Sequence, residues 1–96
     1  MAEGAYQTKL IKKIKKRLPG AVVLKNDSSY QQGIPDLTVF WEKHWGWLEV
    51  KMYFDSPHEP NQDYFIEWAS RNSFGAFIYP ENENEVLDAM ELAFSS

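Results

Sequence analysis

The stretch GIPDLTVFWEKHWGWLEVK, residues 33–51, decides the fold. It opens with an aspartate directly after a proline. It then runs through apolar and aromatic residues to a glutamate and a lysine separated by one valine. Leu37–Trp41 has the composition of a β-strand, Glu42–His44 reads as a tight connection, and Trp45–Lys51 reads as the returning strand of a hairpin. Side chains alternate along a strand, so Trp45, Trp47, Glu49 and Lys51 share one face and Gly46, Leu48 and Val50 the other. Glu49 and Lys51 are then about 7 Å apart and point the same way. A charged pair among tryptophans costs free energy unless it has partners.

Asp36 is the nearest partner. A turn centred near His44 sets Val39 opposite about Glu49 and Asp36 opposite about Met52. Asp36 and Glu49 then converge at one end of the hairpin. Two converging carboxylates repel unless a cation lies between them, and an all-oxygen ligand set with a backbone carbonyl suits Mg²⁺ or Mn²⁺.

Outside the hairpin, residues 3–18 read as an amphipathic helix with Leu10, Ile14 and Leu18 on its apolar stripe, stopped by Pro19-Gly20. Glu3 precedes Leu10 by two turns and falls within roughly 20° of it on the helix face, which turns a carboxylate inward. Ala21–Lys25 reads as a strand, residues 26–33 as a polar loop, and Met52–Pro60 as a loop with two prolines. Residues 61–72 read as a helix in which Gln62 shares a stripe with Phe65, Ile66 and Ala69. Phe74–Tyr79 reads as a fourth strand and residues 83–94 as a last helix. Asn82 is its expected N-cap and Glu85 the capping-box partner. The order is α-β-β-β-α-β-α, an α/β arrangement with a central mixed sheet flanked by helices.

A chain of 96 residues is expected to form a single domain, residues 1–96. It contains no cysteine, which excludes disulfides and thiolate metal sites and favours an intracellular setting. No stretch is apolar enough to suggest a membrane span. The net charge of -4 hides a bipolar distribution: six of the ten basic residues lie in KLIKKIKKR, residues 9–17, and acidic residues crowd the end from Glu81 to Glu91. Two solvated helix faces would account for this pattern. A phosphate-facing basic helix would account for it too, with Lys9, Lys12, Lys13, Lys16 and Lys25 as contacts to a DNA backbone.

Pro35-Asp36, Glu49-Val50-Lys51 and the element order together resemble the PD-(D/E)XK nuclease superfamily. Gly33-Ile34-Pro35-Asp36, Glu49-Val50-Lys51 and Ser56-Pro57 followed by Gln62, with Glu3 on the first helix, look most like the small stand-alone VRR-NUC domains. The likeness runs from Glu3 to about Met90. It implies a restriction-endonuclease-like core and an endonuclease that hydrolyses DNA phosphodiester bonds in line, leaving a 5′-phosphate. It also implies one or two Mg²⁺ ions, with Mn²⁺ as substitute, held by Asp36, Glu49, the Val50 carbonyl and Glu3. Lys51 would orient water or stabilise charge on the phosphate, and Gln62 would hydrogen-bond the Lys51 region. The resemblance further implies branched or junction DNA as substrate, a homodimer that presents two sites, and a cytoplasmic setting in a bacterium or phage-infected host. Two other readings fit the sequence. One is a catalytically inactive nuclease fold that binds DNA or protein; the other is a small interaction protein whose acidic last helix docks a basic partner.

Overall fold

The computed structural model describes residues 2–95. Seven elements follow in the order α1 (Glu3–Arg17), β1 (Val22–Lys25), β2 (Leu37–Trp41), β3 (His44–Val50), α2 (Gln62–Asn72), β4 (Gly75–Ile78) and α3 (Glu83–Phe94). The expected order is therefore borne out. The strands form one four-stranded mixed sheet in the order β1-β2-β3-β4. The β1–β2 and β2–β3 pairs are antiparallel, and β4 lies parallel to β3. A parallel pair needs a crossover, which α2 supplies.

The hairpin register differs from the sequence expectation. Trp41 pairs with His44 and Val39 with Gly46, so the turn consists of Glu42 and Lys43 alone. Such a tight turn needs a residue in the left-handed region, and Glu42 takes it, with φ of 56°. His44 belongs to β3 rather than to the connection. Extending the register one step past the Leu37–Leu48 pair sets Asp36 opposite Glu49, not Met52.

One face of the sheet carries Leu37, Val39, Leu48, Val50 and Ile78, buried against Tyr6, Leu10 and Ile14 of α1 and Val86, Leu87 and Met90 of α3. Each fully buried Leu or Ile side chain contributes roughly 1.5–3 kcal/mol, so this cluster can hold the fold without covalent staples. The other face is covered by α2 through Ile66 and Ala69. The helix lies close enough to β4 that a Cβ on Gly75 would come within 2.6 Å of the Ile66 carbonyl oxygen. Trp45, Trp47, Trp68 and Phe65 meet edge-on or tilted between β3 and α2.

The two charged ends of the sequence meet. Lys13 Nζ lies 2.5 Å from Glu83 Oε2, and the Tyr6 hydroxyl donates to Glu83 Oε1 at 2.9 Å. Arg17 donates to Asp88 at 2.7 Å and to Glu91 at 3.2 Å. The Arg17 pairs are exposed and worth roughly 0–1 kcal/mol, whereas Glu83 is buried and depends on its partners. Burial and the bond to Glu83 raise the Tyr6 hydroxyl above its ordinary pKa.

Asn82 stands at the N-cap of α3, but its side chain makes no cap bond. Its Oδ1 instead accepts from the Tyr79 amide and its Nδ2 donates to the Phe77 carbonyl, so the expected capping box does not form. The residue shapes the turn after β4 rather than the helix end. Among the described residues no helix is long and apolar enough to cross a membrane.

Candidate active site

Asp36, just ahead of β2, and Glu49, near the end of β3, lie side by side at one end of the hairpin. The Asp36 amide donates to Glu49 Oε1 at 3.2 Å, and Asp36 Oδ2 accepts from the Val50 amide at 2.9 Å. Pro35 lacks an N–H and holds the chain extended ahead of Asp36, and its carbonyl accepts from Asn26 Nδ2 at 2.9 Å. Gly33 has φ of +87°, and a Cβ there would come within 2.5 Å of Asn61 Cβ. A glycine is therefore required where the loop presses on the start of α2.

Glu49 is 4% exposed and Lys51 8% exposed. Gln62, at the first position of α2, joins them. Its Nε2 donates to Glu49 Oε2 at 2.9 Å, while its Oε1 accepts from Lys51 Nζ at 2.8 Å and from the Glu59 amide at 2.8 Å. Lys51 Nζ also donates to the Pro57 carbonyl at 3.0 Å and stands 3.8 Å from Glu49 Oε2. Both buried charges thus have the partners that their strand positions demand. Val50 turns its side chain into the α1/α3 core, as alternation requires.

Burial pushes the Glu49 carboxyl up to about 8, helped by the Asp36 charge beside it, while Lys51 pulls the other way. The ion pair does not prevail, because the Lys51 ammonium is 3.8 Å away and already bonded to Pro57 and Gln62. Glu3 is exposed rather than turned inward as its helix spacing suggested, yet it is also raised, by partial burial first and then by Asp36.

These residues line a polar cleft of about 450 Å³ with Glu3 at its edge. Ser28, Gln32, Gly33 and Ile34 of the β1–β2 loop and Glu59 of the β3–α2 loop complete it. Ser28, Gln32 and Glu59 escaped the sequence reading, although the polar run ahead of Gly33 is the signal that carries two of them. Lys9, Lys12, Lys16 and Lys25 are exposed and make no ion pair among the described residues, whereas Lys13 is held by Glu83.

The donor set is all oxygen, and Glu49 resists ionisation in its buried place beside the Asp36 charge. That combination fits a hard divalent cation, which would relieve the repulsion. Among the described residues, no three carboxylate or imidazole side chains stand together as a ready-made centre. Glu3 lines the cleft but does not join Asp36 and Glu49 as a third direct ligand.

A scan against protein families and a search of curated proteins both find no match. A search of solved structures finds a chain titled "VRR_NUC domain", 20% identical, with a TM-score of 0.70 over 90% of this chain and 94% of that one. The two chains share a fold. The likeness read from Gly33–Asp36 and Glu49–Lys51 thus holds at the level of architecture.

Proposed function

We propose that the chain is a metal-dependent endonuclease of the VRR-NUC type, hydrolysing DNA phosphodiester bonds, with branched DNA as its preferred substrate. The observation that carries this reading is the meeting of Asp36, Glu49, Lys51 and Gln62 on the floor of one polar cleft, in the fold of a VRR_NUC domain. Asp36 and Glu49 would hold Mg²⁺, or Mn²⁺ in its place, together with the Val50 carbonyl, and Glu3 would reach the ion through water. The ion would polarise the scissile phosphate and acidify a bound water.

The chain's own residues do the rest. Asp36 fixes the Val50 peptide through its amide. Gln62 bonds both Glu49 and Lys51, which restrains the carboxyl and the ammonium relative to each other. Lys51 supplies a fixed positive charge where negative charge grows on the phosphate. The exposed Lys9, Lys12, Lys16 and Lys25 position the DNA backbone and read no bases.

Cutting two strands of a junction calls for two such sites, and a homodimer provides them. Val22, Leu24 and Phe40 lie on the α2-side face of the sheet and are exposed, next to Trp45 and Trp68. This apolar face beside the free edge of β1 is the surface offered to a second copy.

Incubation with linear, flap and four-way-junction DNA in Mg²⁺, Mn²⁺ or chelator tests the reading. Cleavage that requires the metal and is lost in Asp36→Asn and Glu49→Gln supports it. Metal-independent cleavage, or none on any substrate by a folded protein, overturns it and leaves the binding-module reading.

A further inference from the structure

We infer that Tyr30 and Phe54 are base-stacking platforms on the two loops beside the cleft, and that the site takes DNA whose bases are unpaired at the scissile phosphate. This rests on the reading of the cleft as a phosphodiesterase site. The β1–β2 loop enters the hairpin just before Asp36 and the β3–α2 loop leaves it just after Lys51, so both emerge at the end where the carboxylates sit.

Tyr30 is 92% exposed, and Phe54 is 72% exposed. Among the described residues neither ring makes an aromatic contact, unlike the tryptophans of β3 and α2. Rings this exposed add little to the core, yet their loops are built on several hydrogen bonds. Asp27 Oδ1 accepts from both the amide and the hydroxyl of Ser29, and the Asp27 carbonyl accepts from the Tyr30 amide at 3.1 Å. Asn61 Nδ2 donates to the Gln32 carbonyl, so the same loop is tied to the start of α2. On the other side, Ser56 Oγ accepts from the Tyr53 amide, which closes the turn that carries Phe54. Lys51 anchors that loop to the site through the Pro57 carbonyl.

A ring held on a hydrogen-bonded loop, with no aromatic partner among the described residues, is suited to one that arrives with the ligand. Nucleobases stack on such rings whatever their sequence, but only when splayed out of a duplex. Duplex DNA keeps its bases stacked and offers these rings nothing. The two platforms therefore discriminate by DNA structure at a site that carries no base-reading element.

The test uses wild type, Tyr30→Ala, Phe54→Ala and Tyr30→Trp, with Ca²⁺ in place of Mg²⁺ so that no cleavage is needed. The probes are flap and blunt duplex DNA with 2-aminopurine at the nucleotides flanking the branch. Wild type should quench the flap probe. Each alanine variant should relieve the quench and weaken flap binding by roughly tenfold, from the usual worth of a base–aromatic stack. Duplex binding should change by less than about twofold on the same scale, and Tyr30→Trp should restore both signals. No quench by wild type, or equal loss on flap and duplex, overturns the stacking role. Quenching by a wild type that cuts no DNA in Mg²⁺ would keep the platforms and remove the hydrolase. Metal-dependent cleavage that is indifferent to both alanines would do the reverse.

Discussion

Asp36 and Glu49 face each other across the β2–β3 hairpin. The Asp36 amide donates to Glu49 Oε1, and the Asp36 carboxylate accepts from the Val50 amide next door. The backbone thereby holds two carboxyl groups at contact, which disfavours ionisation of the buried Glu49. Its consequence is a Glu49 carboxyl that resists ionising.

That consequence is measurable without DNA. Glu49 titrates near 8 in the folded chain against an ordinary 4.5, so the folded state holds a proton that the unfolded state has released. The associated stability is present below about pH 4.5 and is lost as pH rises through about 8. In chelator, Glu49→Gln should melt at the same temperature as wild type near pH 5 and several degrees higher at pH 8. Mn²⁺ should raise the wild type at pH 8 and leave Glu49→Gln unmoved. Parallel melting curves for the two proteins across this range would show that Glu49 is an ordinary carboxylate.

Lys51→Ala separates catalysis from assembly of the site. Both carboxylates and Gln62 remain, and Gln62 Oε1 keeps the Glu59 amide as a donor. Binding to flap DNA in Ca²⁺ should survive. Cleavage in Mg²⁺ should fall by about two orders of magnitude, on the order of 3 kcal/mol, as for the loss of one preorganised electrostatic group. Losing the bond to Pro57 should lower stability by only about 1 kcal/mol. Full activity in a variant that melts early would reduce Lys51 to a structural anchor.

Gly33→Ala probes the frame around the site. The positive φ disfavours any Cβ, and the added methyl would meet Asn61 Cβ at 2.5 Å and the Pro60 carbonyl oxygen at 2.6 Å. The loop must then lift from the start of α2, taking Asp36 and Gln62 out of register. We expect a loss of about 2 kcal/mol or more and a larger loss of cleavage than of DNA binding. Gly4→Ala, where a Cβ would meet nothing, should be silent in both measurements. A Gly33→Ala protein that melts and cuts like wild type would show that the loop has slack.

The element order, the two sides of β3 and the convergence of Asp36, Glu49 and Lys51 were legible in the sequence because each follows from short-range pattern. Alternation places Glu49 opposite in sense to Val50, and helical spacing brings Gln62 onto the stripe of Ile66 and Ala69. The register was not legible. Glu-Lys carries no glycine or asparagine to announce a tight turn, and Glu42 takes its left-handed backbone only because the strands on either side demand it. Nor could local pattern show that Asn82 would turn back to Phe77 and Tyr79. Least visible was the joining of α1 to α3, since Lys13 and Glu83 lie 70 positions apart. A charge pattern gives the signs of two faces but not whether they meet.

That joining divides the lysines of α1 into two kinds. Lys13 neutralises the buried Glu83, whose other oxygen takes the Tyr6 hydroxyl. Lys12 and Lys16 are exposed and carry no ion pair among the described residues. Lys13→Gln should strand Glu83 and lower stability by about 1–3 kcal/mol; the Lys12→Gln/Lys16→Gln double variant should melt like wild type. In DNA binding the order reverses. Each phosphate contact contributes about 0.9 to the slope of log K against log salt, so the double variant should flatten that slope by roughly 1–2. Lys13→Gln, measured below its melting temperature, should leave the slope nearly unchanged. A double variant with the wild-type slope would move the DNA-binding surface off α1, and the exposed Lys25 at the end of β1 would be the next residue to change.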